Sequence, residues 1–83
     1  MRIAAAFISI PGNVTTIGAY AFGNCGSLQS IEIPGNVKTV GREAFRSCKA
    51  MKTVTIQDGV ESLENMTFYG CLVLKEVTMP DSI

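Results

Sequence analysis

The sequence contains no histidine, carries no net charge and has no long apolar run. Without histidine, the chain lacks a common zinc ligand and the side chain most often used for acid–base catalysis near neutral pH. Seven basic residues balance seven acidic ones, which argues against a nucleic-acid partner or a polybasic membrane surface. No apolar stretch approaches the roughly 18 to 20 residues that cross a bilayer, so we expect no membrane insertion.

The first ten residues, "MRIAAAFISI", have the basic start and apolar stretch of a signal peptide. The stretch shows no small-residue cleavage pattern and is followed directly by Pro11. Ile8, Ile10 and Pro11 also take part in the repeat described next. We therefore interpret this segment as structural sequence, and the 83 residues allow one small domain.

A repeat of 23 residues runs through the chain. "GAYAFGNC" begins at Gly18, "GREAFRSC" at Gly41 and "ENMTFYGC" at Glu64, so phenylalanine and cysteine recur at the same spacing. Apolar positions recur with the same period: Ile8, Ile31, Val54 and Val77; Ile10, Ile33, Ile56 and Met79; Val14, Val37, Val60 and Ile83. Self-similarity at a fixed period of this length indicates stacked repeat units.

Each unit reads as a strand, a turn, an extended segment and a short helical turn. "LQSIEI" at 28–33 alternates apolar and polar residues and predicts a strand with one buried face. "PGN" at 34–36 predicts a turn, "VKTV" at 37–40 an extended segment, and "REAF" at 42–45 one or two helical turns. Because one unit cannot bury its own apolar face, the units must stack.

Stacking predicts a right-handed coil, with a short parallel β-sheet on one face and short helical or 3-10 turns on the other. Two ladders would fill its interior: Phe22, Phe45 and Phe68, and Cys25, Cys48 and Cys71. Parallel cysteine side chains do not readily bring Cβ atoms to the roughly 3.8 Å of a disulfide, and a linear stack of thiols is not tetrahedral. We therefore favour reduced, buried cysteines and expect no metal or cofactor.

The motifs resemble those of a known repeat family. "LQSIEIPGN" follows the L-x-x-L-x-L-x-x-N pattern of leucine-rich repeats. "IPGNVKTVGREAFRSCKAMKTVTI" is similar to the BspA-type branch, which is marked by the IP turn, G-x-x-A-F and a following cysteine. The resemblance spans residues 8–83. It implies a right-handed solenoid of the kind found in adhesion-linked surface proteins of host-associated bacteria and some protists, a cell-surface or secreted location, and no catalysis.

Residues 1–83 are therefore predicted to form a single solenoid of about three units with partial units at both ends. In the third unit, Glu64 replaces the glycine found at Gly18 and Gly41, and "IQDGV" replaces "IPGNV", which predicts a distorted unit. No capping sequence is evident. We expect either a piece of a longer array or a chain that covers its ends by association.

An enzyme would need an acid, a base or a nucleophile in a cleft. The best carboxylates on the outward face of the sheet, Glu32 and Glu76, should lie about 12 Å apart from strand geometry. Glycosidase pairs are separated by only about 5 to 9.5 Å. The sequence also lacks the glycine-rich nucleotide-binding motifs. We therefore expect no enzymatic activity.

Two functions remain, a protein-binding segment and a self-assembling structural module. A binding segment would use a concave face made of the outward strand positions, Ser30, Glu32, Thr53, Thr55, Glu76 and Thr78. The alternative is that these residues are simply the solvated side of a sheet. A self-assembling module would use positions where an earlier unit carries a small or polar residue and the third unit turns apolar: Met66, Tyr69, Leu72 and Val73. If the third unit does not turn these side chains inward, they predict a homo-oligomer.

Overall fold

The structure, a computed structural model, describes residues 6–83, so residues 1–5 of the segment considered as a signal peptide lie outside it. Six short strands follow one another: β1 (Thr16–Ile17), β2 (Ser30–Ile33), β3 (Thr39–Val40), β4 (Thr53–Ile56), β5 (Ser62–Leu63) and β6 (Glu76–Thr78). Within the described residues, no helix is long and apolar enough to cross a bilayer.

The strands form two parallel three-stranded sheets, in the orders β2-β4-β6 and β1-β3-β5. In the first sheet Ile31 pairs with Val54 and Val54 pairs with Val77, which matches the 23-residue period. In the second sheet Thr39 pairs with both Thr16 and Ser62. The second sheet arises from the segment that the sequence predicted only as extended. The chain therefore has a repeat fold with parallel strands in two sheets.

The apolar ladders predicted from the sequence form the core. Phe45 is fully buried, and its ring stacks between those of Phe22 and Phe68 with centroid distances of 5.2 and 5.5 Å. The inward residues of β2 and β4 are buried as well, because alternate residues of a strand point to the same side. The central unit therefore contributes most to a core that continues into its neighbours.

The predicted helical turns are wrong, because residues 41–48 form consecutive tight turns instead. Glu43 and Ser47 have φ angles of 51° and 57°, the left-handed region that a right-handed helix excludes. The N–H groups of Phe45 and Ser47 donate to the carbonyls of Thr67 and Tyr69 in the next unit. N–H groups that would donate to carbonyls within a helix thus donate to carbonyls of the next unit and join the two units.

The turn after β2 is also tied to the preceding unit. Val37 N–H donates to the Pro34 carbonyl, which closes the turn at 3.0 Å. The amide of Asn36 donates to the carbonyl of Val14 at 2.6 Å and to that of Pro11 at 3.2 Å. An asparagine in this turn therefore satisfies backbone acceptors of two different residues in the neighbouring turn.

The third unit keeps the backbone pairing of the others despite Glu64. The Glu64 N–H donates to the Val40 carbonyl at 2.8 Å, and β5 pairs with β3 in register. Met66 has a φ of 58°, close to the 59° of Tyr20 at the same position in the first unit. The distortion expected from the sequence is therefore absent from these parts of the backbone.

Candidate interaction surfaces

The outward side chains of β2, β4 and β6 form one continuous surface, which we call the strand face. Strand pairing aligns its six candidate residues in two columns, Ser30, Thr53 and Glu76, and Glu32, Thr55 and Thr78. Glu32, Glu76 and Thr78 are exposed, whereas the other three are half-buried. The structure therefore brings all six together, while their role in binding stays a prediction.

The two carboxylates of the strand face do not form a pair. Glu32 lies on β2 and Glu76 on β6, with β4 between them. They also occupy different columns, since Glu32 pairs with Thr55 and Glu76 with Thr53. Each carboxylate therefore lies beside a threonine of β4 and not beside another carboxylate.

The second surface is the turn face, formed by residues 18–27, 41–50 and 64–73. All four residues of the predicted self-association patch are exposed on it, Met66 by 47%, Tyr69 by 51%, Leu72 by 79% and Val73 by 42%. The third unit therefore does not fold these side chains inward. The structure exposes all four residues, and their use in self-association stays a prediction.

Neighbouring units show which of these positions point outward. Lys49 occupies the position of Leu72 one unit earlier and is exposed, although it has a unit on either side. Arg46, in the position of Tyr69, is exposed as well. Leu72 and Tyr69 thus lie at outward positions. Met66 differs, because the equivalent residue Glu43 is buried.

Glu43 is the centre of a polar network on the turn face. The Tyr20 hydroxyl donates to Oε2 of Glu43 at 2.8 Å, and Arg42 donates to the same oxygen at 3.3 Å. Arg46 donates to Oε1 at 3.1 Å. The hydrogen bond from Tyr20 is the main cause that lowers the pKa of the Glu43 carboxyl. The hydrogen bond from Arg42 and the positive charges of Arg46 and Arg42 act in the same direction, and together these causes outweigh desolvation. The carboxylate is therefore fully engaged within the fold.

Two tyrosine rings extend this network. The guanidinium of Arg42 lies 6.0 Å from the ring centroid of Tyr20, and that of Arg46 lies 5.5 Å from the centroid of Tyr69. Both separations fall within the range of cation–π attraction. This network was not predicted from the sequence. The signal in the sequence was that Tyr20 and Glu43 occupy the same repeat position, which places them side by side in neighbouring units.

The cysteines form a ladder beside the phenylalanine stack, as predicted. All three are free, with Cys25 and Cys48 buried and Cys71 half-buried. The thiol of Cys48 donates to the Phe22 carbonyl at 3.2 Å, and that of Cys71 donates to the Phe45 carbonyl at 3.1 Å. Hydrogen bonding with Cys71 and burial raise the pKa of Cys48. Hydrogen bonding with Cys48 lowers the pKa of Cys71 to about 7.

Two concavities are also present among residues 6–83. One, of about 360 Å³, is lined by apolar and small residues of the first unit, including Ile8, Val14 and Phe22. The other, of about 370 Å³, is shallow and is lined by both Asp58 and Asp81. Across residues 6–83, no group of three or more cysteines and carboxylates is placed to hold a metal ion.

Comparison with known proteins identifies the family. A family model described as a BspA-type leucine-rich repeat region of six copies matches residues 3–83. No curated protein and no solved structure gives a significant match. The matched residues include both sheets, the turn face and the cysteine ladder. This chain therefore belongs to the BspA-type leucine-rich repeat family.

Proposed function

We propose that the chain is a protein-interaction segment of the adhesion type, in which a right-handed solenoid presents its strand face to a protein partner. Membership of a leucine-rich repeat family supports an interaction role over catalysis. The observation that carries the proposal is the alignment of the six strand-face residues across three paired strands. Their hydroxyl and carboxylate groups can form hydrogen bonds with a polar partner surface.

The size of the strand face limits the affinity that it can supply. The strand face consists of three strands about 4.8 Å apart, two of four residues and one of three, at about 3.3 Å per residue. It covers far less than the roughly 800 Å² per partner of a standard interface. We therefore expect a weak complex unless flanking surfaces take part. Such a segment would gain strength from repetition of similar surfaces, as linked binding sites do.

A peptide library displayed on phage tests this function. Peptides selected on the folded chain should lose at least about ten-fold in affinity for Thr55→Lys, because Thr55 lies at the centre of the strand face. Thr16→Lys, on β1 of the other sheet, serves as the matched control. Equal binding of the selected peptides to both variants would contradict a role for the strand face.

A second function, self-association as a structural module, is supported by the exposed apolar residues of the turn face. Leu72 and Tyr69 are exposed at outward positions. Apolar residues clustered in this way on a small protein indicate an interface. Replacing Leu72→Lys together with Val73→Ser restores the character of the other units, so it should weaken association and leave the fold intact.

Sedimentation velocity across a concentration series measures this association. Phe7→Lys is the control, because Phe7 is also exposed and lies outside the turn face. We expect the turn-face double variant to remain monomeric at concentrations where the control and the unmodified chain associate. A monomer at high micromolar concentration of the unmodified chain would contradict the second function.

A further inference from the structure

Charge is divided unevenly among the three stacked units. Residues 8–30 contain no charged side chain. Residues 31–53 contain five basic and two acidic residues, a net charge of +3, and residues 54–76 contain one basic and four acidic residues, a net charge of −3. Because these units are neighbours in the stack, a neutral unit is followed by a positive and then a negative one.

The turn face shows the same division in its exposed side chains. The middle unit contributes the cations Arg42, Arg46 and Lys49, all exposed. The third unit contributes Glu64 and the apolar Tyr69, Leu72 and Val73, also exposed. The part of this surface from the middle unit is therefore cationic, and the part from the third unit is apolar with an acidic edge.

The turn-face residues of the middle unit and those of the third unit are complementary in chemistry. Arg46 already lies over the ring of Tyr69 at 5.5 Å within one molecule. The aliphatic stems of arginine and lysine also cover apolar surface while their charged ends stay in water. Cations from a second molecule could therefore contact Tyr69 and Leu72 in the same way, and reach Glu64 at the edge.

We propose that two copies of the chain associate through their turn faces in an antiparallel arrangement, with the middle unit of each copy facing the third unit of the other. This inference rests on the second function proposed above, association with a second copy. A two-fold axis produces both contacts at once, since an interface of this symmetry repeats each contact twice.

The charge pattern favours the antiparallel orientation over a parallel one. With the stacks parallel, the arginines of one middle unit face those of the other, and Glu64 faces Glu64. Like charges in juxtaposition oppose association, whereas opposite charges fix the register of an interface. The molecule measures 27 × 24 × 21 Å and only the middle and third units face each other, so the interface falls below the roughly 800 Å² per partner of a standard interface and we expect a weak dimer.

A charge reversal tests the arrangement. Glu64→Lys replaces two attractive contacts of the dimer by repulsive ones and should weaken the dimer about ten-fold at low salt. Glu61→Lys is the matched control, because it makes the same change of net charge in the same unit, at an exposed residue outside the turn face. We expect its dimerisation constant to match that of the unmodified chain.

Mixing differently labelled proteins determines the orientation. In the antiparallel dimer, a pair of one unmodified chain and one Glu64→Lys chain should be weaker than the unmodified pair and stronger than the pair of variants. In a parallel dimer, position 64 faces itself, so the mixed pair would be the strongest of the three. Fluorescence energy transfer between the labelled chains ranks the three pairs.

The outcomes separate this inference from the function on which it rests. A monomeric unmodified chain overturns both. Association that resists Glu64→Lys, or that Glu61→Lys weakens equally, overturns the charge-directed interface and leaves self-association standing. A mixed pair tighter than the unmodified pair overturns the antiparallel orientation. The expected ranking, together with weakening by added salt, supports the proposal.

Discussion

Phe45 has no exposed surface and stacks against an aromatic ring in each neighbouring unit. Phe45→Ala removes these contacts and leaves a cavity, so we expect a loss of about 3 to 5 kcal/mol in the free energy of unfolding. A chain of this length has a total stability of about 4 to 12 kcal/mol, so the loss removes a large part of it and unfolds the variant if the total lies near the lower end. Urea titration followed by circular dichroism measures the loss.

Phe7→Ala provides the control for this prediction. Phe7 is 66% exposed, so its truncation should change the free energy of unfolding by no more than about 0.5 kcal/mol. Similar losses for the two variants would mean that the aromatic stack does not carry the stability assigned to it.

The cysteine ladder makes a prediction about reactivity. Cys71 is half-buried with a pKa near 7, whereas Cys48 is buried with a raised pKa. Because the thiolate is the reactive form and Cys71 is the most exposed thiol of the ladder, a thiol reagent should label Cys71 first, with a rate that rises with pH. Cys25 and Cys48 should react only on unfolding, Cys48 most slowly.

Mass spectrometry after timed quenching identifies the labelled cysteine. Cys71→Ser should abolish the rapid phase and leave the slow ones. Rapid labelling of Cys48 in the folded chain would contradict the ladder.

The sequence alone predicts the packing of residues that recur unchanged in every unit. It does not predict the packing at positions where the residue type changes from unit to unit. Phenylalanine and cysteine recur unchanged, so their stacks follow from the period alone. The position shared by Tyr20, Glu43 and Met66 changes from aromatic to acidic to apolar. Only the structure shows that Glu43 is buried among hydrogen-bond donors and that Met66 is exposed.

At the level of the elements, the main departure from the sequence prediction is the absence of helical turns from residues 41–48. The helix-forming residues of "REAF" favoured a helix by local propensity, which tertiary contacts often override. Here the neighbouring units offer carbonyls to N–H groups such as that of Phe45. Bonds between units replace bonds within a helix, and Glu43 adopts a left-handed conformation.

These left-handed positions predict a stabilising substitution. Ser47 has a φ of 57°, and the third unit places Gly70, with a φ of 77°, at the same position. Ser47→Gly removes the cost of a side chain in this conformation, partly offset by the greater freedom of glycine in the unfolded chain. We expect the free energy of unfolding to rise by about 0.5 to 1 kcal/mol.

Ser62→Gly is the matched control, because Ser62 lies in the extended strand β5. There glycine should lower the free energy of unfolding by about 0.5 to 1 kcal/mol. Thermal unfolding of both variants measures the difference. A loss of stability in Ser47→Gly would mean that its side chain contributes more than its conformation costs.

At the level of the whole molecule, the sequence predicted parallel stacking and the position of the six strand-face residues. It did not predict a second sheet, because two-residue strands such as Thr39–Val40 are too short to give a periodic pattern. It also left open whether the apolar residues of the third unit turn inward. That outcome depends on the space available in the core, which a sequence pattern does not specify.

The stacking of units predicts uneven stability along the chain. Most of the fully buried side chains belong to residues 31–53, and this unit has a neighbour on either side. In repeat proteins, stability is the sum of the units and their interfaces, so units with one neighbour open more readily. The amide of Met51, which donates to Cys48 within the middle unit, should therefore exchange with solvent more slowly than that of Tyr69, which donates to Met66 within its own turn.

Hydrogen exchange followed by NMR measures both amides, at a concentration low enough to keep the chain monomeric, because association through Tyr69 would itself slow exchange. We expect the opening free energy of Met51 to approach that of global unfolding and that of Tyr69 to be lower by at least about 1 kcal/mol, since the third unit can open alone. Equal opening free energies would contradict this gradient, because they would mean that all units unfold together. In that case the middle unit could not hold the core while the third unit opens.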